Sequence, residues 1–365
     1  MKTVVFIVGQ LSQPRCIKRI ESVQKAGIPI KVYGYNNGLY EENLKKNSFV
    51  PTGYLENKGN IFMRRMSPYL QIRKIFKENS HSVFYVFGYH LADILYTVGC
   101  RSFIYEEADV NSAKKKSWVL QKIAILRDKY LALNSLFTVY TSQGFVDYLF
   151  PSTKKPQYIL LQNKLSNYFI SHNRDAIKPK RVDIKHIRFA FIGLIRYPNT
   201  IGRFARIIAE EYPQHEFHFY GDKSLYCELP KIVYKANNIF FHGAFKNPVD
   251  LESIYRDVDI NIACYDAQSR NTAVNVRIAE PNKLFESIYF LTPIIVSKDT
   301  FIGKRVLDLG VGDELLSHDD ESIRQFINGI TSSKIEAMIN AELNIPKDQL
   351  IDNPKELINR ILSLV

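Results

Sequence analysis

The sequence predicts an α/β protein built as two Rossmann-like domains with a cleft between them. Three observations carry this. Short, near-continuous apolar runs alternate with helical patterns in both halves of the chain. Strands of a parallel sheet covered on both faces read this way. The alternation stops in a polar, basic stretch, "SHNRDAIKPKRVDIKHIR", and then restarts. The length, 365 residues with a 46% hydrophobic fraction, suits two domains of ordinary size, each with its own core.

The elements follow in order. "TVVFIVG" reads as the first strand, "PRCIKRIESVQKAG" as a helix closed by Gly27, and "IPIKVYGY" as the next strand. "SVFYVFG", "SFIYEEA" and "LFTVYTS" are further strands, separated by helical patterns, notably over 112–134. These make an N-terminal domain over 1–170, followed by a linker over 171–187. The second domain, 188–345, runs "IRFAFIGLIRY" (strand and loop), "TIGRFARIIAEEYP" (helix), "EFHFYG" and "NIFFHGAF" (strands), "LESIYRDV" (helix) and "DINIACYD" (strand). Next comes "RIAEPNKLFESIYFLTPIIVS": a loop, a helix opened by Pro281, a turn at Thr292-Pro293 and a buried strand. A helical tail over 346–365 is placed to pack back on the N-terminal domain.

The totals exclude several classes. Cys16, Cys100, Cys227 and Cys264 form no C-x-x-C pair, so they read as reduced, buried thiols. "MKTVVFIVGQ" has too short an apolar run for a signal peptide, and no stretch reaches the ~18 apolar residues of a membrane span. A soluble, cytoplasmic protein is expected. The formal net charge of +12 is uneven. Residues 1–180 hold 27 Lys+Arg against 12 Asp+Glu, and residues 181–365 hold 22 against 25.

In open α/β sheets, ligands bind outside the carboxyl ends of the strands. The second half places Gly193 and Arg196, Gly221 and Asp222, and His242 and Gly243 at three such ends. Glycine there lets a backbone approach a phosphate or a base closely. Lys283 and Glu286, three apart, share one face of the helix after Pro281. A helix N-terminus suits a diphosphate, and a lysine one turn in adds a full charge. Glu286 suits ribose hydroxyls, as acidic residues do in dinucleotide folds. The alternative, a solvated surface pair, sits poorly within the apolar "KLFESIYF". "DVD" at 257–259 reads as a helix end followed by a strand start, and "HEFH" at 215–218 lacks metal-ligand spacing. No G-x-G-x-x-G or G-K-[ST] occurs, so neither a metal nor a cofactor is expected.

"PNKLFESIYFLTPIIVS" resembles the nucleotide-sugar signature of GT-B glycosyltransferases, in the retaining group that includes bacterial capsule and exopolysaccharide enzymes. The pattern there is roughly P-x-K-x-x-E followed by G-x-P-V-[IV]. "FAFIGLIRY", "EFHFYGD", "FFHGAF" and "IYRDVDINIACYD" are similar to that family's preceding elements, in order. The resemblance spans residues 187–300 and extends to the N-terminal domain by layout. It implies the GT-B fold and a nucleotide-sugar donor, with Glu286 on the ribose, Lys283 and Arg196 on the diphosphate, and the Gly243 region on the base. Two positions depart from the pattern. Many members carry another Glu eight residues before the second; that position here is Ile278, with Glu280 as the substitute and Asn275 or Arg277 as other donor contacts. Leu291 stands where glycine is usual.

The N-terminal domain is then expected to bind the acceptor, a glycan or lipid-linked saccharide. Gly9, in "VGQLSQPR", follows the first strand, and "FIYEEADV" brings Glu106, Glu107 and Asp109 to another strand's end. Glu107 or Asp109 is the candidate general base, with His90 read as packed. The basic, aromatic-interleaved "MRRMSPYLQIRKIFK" and "NSAKKKSWVLQKIAILRDKYLALNSLF" read as membrane-surface segments. An anionic membrane is favoured over nucleic acid as the partner, which places the protein peripherally on the inner face of the cell membrane. The rival readings are a nucleotide-sugar epimerase of the same fold and a non-catalytic basic membrane- or nucleic-acid-binding protein.

Overall fold

The apolar runs form two fully parallel sheets in a computed structural model, which describes residues 2–36, 48–56, 60–110, 117–152, 154–224, 227–266 and 273–365. The run Lys114–Lys116 lies outside the described residues. The chain divides into two compact units, Met1–Leu161 with Asn353–Val365, and Gln162–Asp352.

The first unit contains β1 (Val4–Val8), α1 (Pro14–Lys25), β2 (Ile30–Gly34), β3 (Gly53–Tyr54), α2 (Ile61–Glu78), β4 (Val83–Phe87), α3 (Tyr89–Thr97), β5 (Phe103–Glu107), α4 (Trp118–Asn134), β6 (Phe137–Tyr140), α5 (Gln143–Leu149) and β7 (Tyr158–Leu160). Its seven strands run in the order β3-β2-β1-β4-β5-β6-β7. β1 pairs with both β2 and β4, with Val4 opposite Ile30 and Val83. Every residue of β1, β4 and β5 is buried, which accounts for their near-continuous apolar sequence. The last helix, Lys355–Leu362, returns to this unit, where Leu357 and Ile361 join the core with Val4 and Phe137.

The second unit contains β8 (Arg188–Ile192), α6 (Arg203–Glu211), β9 (Glu216–Tyr220), β10 (Ile239–Gly243), α7 (Leu251–Arg256), β11 (Ile260–Ala263), α8 (Ala273–Ile278), α9 (Asn282–Tyr289), β12 (Ile294–Ser297), α10 (Phe301–Leu309), β13 (Gly312–Leu315), α11 (Asp320–Asn328) and α12 (Ser332–Leu343). Its six strands run β10-β9-β8-β11-β12-β13. The order reverses between β8 and β11, so this sheet has its switch point at the end of β8. Cores on the two faces gather around Phe189, Phe217 and Ile262, and around Ile192, Tyr255 and Ile288.

Residues 171–187, expected as a linker, are built into the second unit. The Arg174 guanidinium donates to the carbonyls of Ile288 and Glu342 at 2.8 and 2.7 Å. Lys180 Nζ donates to the Tyr255 carbonyl at 2.5 Å and to that of Val258. Both cations close helix C-termini, where carbonyls lack partners. All four cysteines are free and buried. Leu291, where the resembling signature carries glycine, is buried and held at φ 56°. This is the left-handed backbone that glycine adopts at least cost.

Candidate functional site

β8 ends at Ile192, and the chain turns sharply at Gly193, φ 136°. The Gly193 N–H donates to the Tyr220 carbonyl at 2.7 Å, and the Gly221 N–H donates to the Gly243 carbonyl, also at 2.7 Å. The three strand-end glycines are thus stitched edge to edge. A Cβ on Gly221 would lie 2.3 Å from the Gly193 oxygen. A Cβ on Gly193 would lie 2.8 Å from Lys283 Nζ, whereas Gly243 faces open space. Close approach to backbone requires glycine at 221 and the positive φ favours it at 193, where the absence of a side chain leaves the lysine tip bare. The loops continue in register, with the Ile195 N–H on the Asp222 carbonyl at 2.9 Å. This places the exposed Arg196 in the same neighbourhood.

Lys283 and Glu286 lie on α9, whose entry is set by Pro281 in extended backbone. They are not a solvated surface pair: Lys283 is 8% exposed and Glu286 4%. The Lys283 ammonium sits 4.5 Å from the Phe191 ring centroid and 5.3 Å from that of Tyr265. It makes no ion pair or hydrogen bond with another described residue. Burial lowers its pKa to about 8; Glu286 pulls it up and Arg196 pushes it down. A desolvated cation without a fixed counterion is costly. It is a ready receptor for an anion.

The Glu286 carboxylate accepts from Tyr255 Oη at 3.1 Å, from Asn247 Nδ2 at 3.3 Å and from Asn282 Nδ2. Asn261 braces this group, donating to Tyr255 Oη at 3.3 Å and Ser287 Oγ at 2.8 Å. Burial raises the Glu286 pKa, while Lys283 and the three donors hold it back. Asn247 comes from the loop after β10, so the Gly243 region and Glu286 belong to one site. Sequence reasoning missed Asn247, Tyr255 and Asn261. Asn282 was within sight, because it lies between Pro281 and Lys283 in the quoted signature.

Glu280 is buried, with one carboxylate oxygen accepting from Gln162 Nε2 at 2.6 Å and the other from Arg305 Nε at 3.1 Å. Both oxygens thus have partners within the second unit. Asn275 is buried on α8 and Arg277 is exposed. In the first unit, Glu107 is fully buried and its pKa is raised well above the carboxylate range, by burial and then by the Asp128 carboxyl of α4. The Glu107 carboxyl is enclosed with Asp128 rather than open at the strand's end, where an acceptor hydroxyl would have to reach it. Its neighbour Glu106 points to the other face, where Arg19 Nε lies 3.3 Å from it and Tyr85 Oη donates to it at 2.5 Å. Asp109 and Gly9 are exposed after their strands. In the D-x-D stretch, Asp259 is committed to Arg188, which donates from Nε and NH2 at 3.1 and 3.0 Å.

No protein-family model matches the chain, and no curated protein does. Solved structures do. HepE from Anabaena, in complex with UDP-glucose, is similar over 100% of both chains at 14% identity, with a TM-score of 0.70. The lipopolysaccharide outer core galactosyltransferase WaaB covers 100% of both chains at 14% identity, TM-score 0.64. A Listeria monocytogenes protein assigned as a UDP-N-acetylglucosamine 2-epimerase covers 93% of this chain and 91% of its own, at 10% identity and TM-score 0.60. The fold is α/β, of the GT-B kind, with two Rossmann-like units.

Proposed function

We propose that this protein is a glycosyltransferase that moves a sugar from a nucleoside-diphosphate sugar to a glycan or lipid-linked saccharide, in bacterial surface polysaccharide synthesis. One observation carries the reading: a buried lysine, unpaired among the described residues, sits against a side-chain-free strand end, one turn before a buried glutamate. The Lys283 ammonium and the N-terminus of α9 meet the diphosphate, with Arg196 at the open side. Glu286 accepts from the ribose hydroxyls, and Asn247, Tyr255 and Asn282 fix its orientation. Gly193 and Gly221 leave room for the phosphates, and Gly243 leaves room for the base.

Negative charge grows on the diphosphate as the glycosidic bond to the donor breaks. Cations held in place before reaction stabilise that charge more in the transition state than in the ground state. The chain needs no metal for this step in the present reading. The acceptor falls to the N-terminal unit, with Asp109 as the exposed carboxylate left to take its proton. The protein works at the inner face of the cell membrane.

Thermal-shift screening against a panel of nucleotide sugars tests the donor reading: stabilisation by at least one of them is expected, and stabilisation by none would remove it. An epimerase is the second reading, favoured by the likeness to the Listeria protein. Product analysis without acceptor separates the two. A transferase leaks nucleoside diphosphate and the unaltered sugar, whereas an epimerase returns an altered one.

A further inference from the structure

Helix α4 turns an apolar row to solvent, in which Tyr130 also packs edge-on against Tyr96 of α3, with ring centroids 5.5 Å apart and hydroxyls at 2.9 Å. Val119, Ile123, Leu126, Tyr130 and Leu133 are each at least 45% exposed. Their spacing of four, three, four and three residues aligns them along one side of the helix. The opposite side, with Ala124, Asp128 and Leu131, is buried. The helix is fixed from beneath: Asp128 accepts from Tyr105 Oη at 2.8 Å, and Arg127 pairs with Asp93 of α3 at 2.7 Å. The apolar line is therefore held outward. A lone exposed leucine needs no explanation, but a continuous row of this kind marks an interaction surface.

Charge decides what covers it. Lys122 and Lys129 lie along one edge of the row, on the side of Trp118, whose ring has the Lys122 ammonium 4.6 Å from its centroid. The only carboxylate on α4 is the buried Asp128. Two copies meeting through this face would bring like charges together, whereas a layer of anionic headgroups would neutralise them. Aromatic rings within and beside an apolar row, with lysines along its edge, suit the boundary between headgroups and acyl chains. No helix among the described residues is long and apolar enough to cross a membrane, so the helix would lie in the interface plane.

We infer that the outward face of α4 is a docking surface for anionic lipid bilayers, inserting Ile123 and Leu126 between the headgroups. This deepens the peripheral-membrane part of the proposed function and is independent of the donor site, which lies on the other unit.

Trp118 is the chain's single tryptophan, so its fluorescence reports on this helix alone. The full chain is mixed with phosphatidylcholine vesicles or with mixed phosphatidylcholine–phosphatidylglycerol vesicles. Binding to the mixed vesicles only, a blue shift of Trp118 emission and quenching by brominated acyl chains are expected. The double variant Ile123→Gln, Leu126→Gln replaces exposed side chains, so it should fold as the parent does, by thermal melting. It should bind at least about tenfold more weakly, from the lost apolar burial. Lys122→Gln with Lys129→Gln should weaken binding and flatten its salt dependence.

Vesicle binding with unshifted Trp118 emission and undiminished in the apolar double variant would overturn this surface while leaving membrane association standing. No vesicle binding would overturn both. Dimerisation abolished by the same double variant would assign the face to a second copy, and tighter binding to DNA than to vesicles would assign the charge to nucleic acid. A failed donor screen alone would leave the inference untouched.

Discussion

Lys283 makes the donor site sensitive to pH in a way that can be worked out from its surroundings. Burial among Phe191 and Tyr265 holds its pKa near 8 in the free protein, against about 10.4 for an unperturbed lysine. A diphosphate favours the ammonium, so its arrival raises the pKa and the complex takes up a proton. The uptake equals the neutral fraction before binding: about 0.1 proton at pH 7, about 0.5 at pH 8 and about 0.9 at pH 9. The sign follows, since affinity is highest where the lysine is already charged and falls as pH rises through 8. Between pH 7 and 9 the loss is roughly tenfold. Isothermal calorimetry with a nucleoside diphosphate, in buffers of different ionisation enthalpy, measures the uptake directly. Lys283→Met should bind more weakly and lose the pH dependence. Wild-type binding with no proton uptake between pH 7 and 9 would refute the contact between Lys283 and the diphosphate.

Arg196→Ala should lower turnover at saturating donor by about ten- to a hundredfold, because the cation acts on charge that develops in the transition state; loss of affinity with turnover intact would contradict it. Gly193→Ala, which sets a methyl against the lysine, should weaken nucleotide binding more than it lowers thermal stability. Gly221→Ala, which meets backbone at 2.3 Å, should cost about 1–3 kcal/mol of stability by denaturant unfolding; an unchanged unfolding midpoint would contradict that geometry. Glu107 has its folded pKa raised above its unfolded one, so the stability it confers is present in acid and lost as pH rises through the folded value. Glu107→Gln should therefore flatten the decline of Tm with rising pH, and a decline as steep as the wild type's would contradict the raised pKa.

Strands buried on both faces, such as Val4–Val8 and Val83–Phe87, were legible because the local pattern there becomes a continuous apolar run. Ile30–Gly34, Glu216–Tyr220 and Ile239–Gly243 are less buried and were legible from their aromatic and β-branched content between turn residues. Tyr158–Leu160 and Gly312–Leu315 escaped notice. The latter is held by pairing, with Gly312 opposite Ile294, and a Cβ on Gly312 would lie 1.8 Å from the Ile294 carbonyl oxygen. A fit of that kind leaves no trace in composition. Residues 171–187 looked like a linker because they are basic and unpatterned. Yet Arg174 and Lys180 bind backbone carbonyls of distant helices, partners that no side-chain pattern announces. The sequence set Glu106 and Glu107 together at a strand's end; strand alternation separates them onto opposite faces of β5, and only the packing of α4 over one face reveals that Asp128 meets Glu107 there. The Lys283–Glu286 pair was legible because charges inside "KLFESIYF" have no solvent to face. The collar of Asn247, Tyr255 and Asn261 was not, since each arrives from another element.

The donor site stands or falls with Glu286. Its hydrogen bonds to ribose hydroxyls would be charge-assisted, about 1.5–3 kcal/mol, or roughly ten- to a hundredfold in affinity. The direct test is calorimetric titration of a nucleoside diphosphate into the wild type and into Glu286→Ala, with thermal melting as the check on folding. The account predicts that loss of affinity in a variant that still melts cooperatively. Unchanged affinity in the folded variant would contradict it.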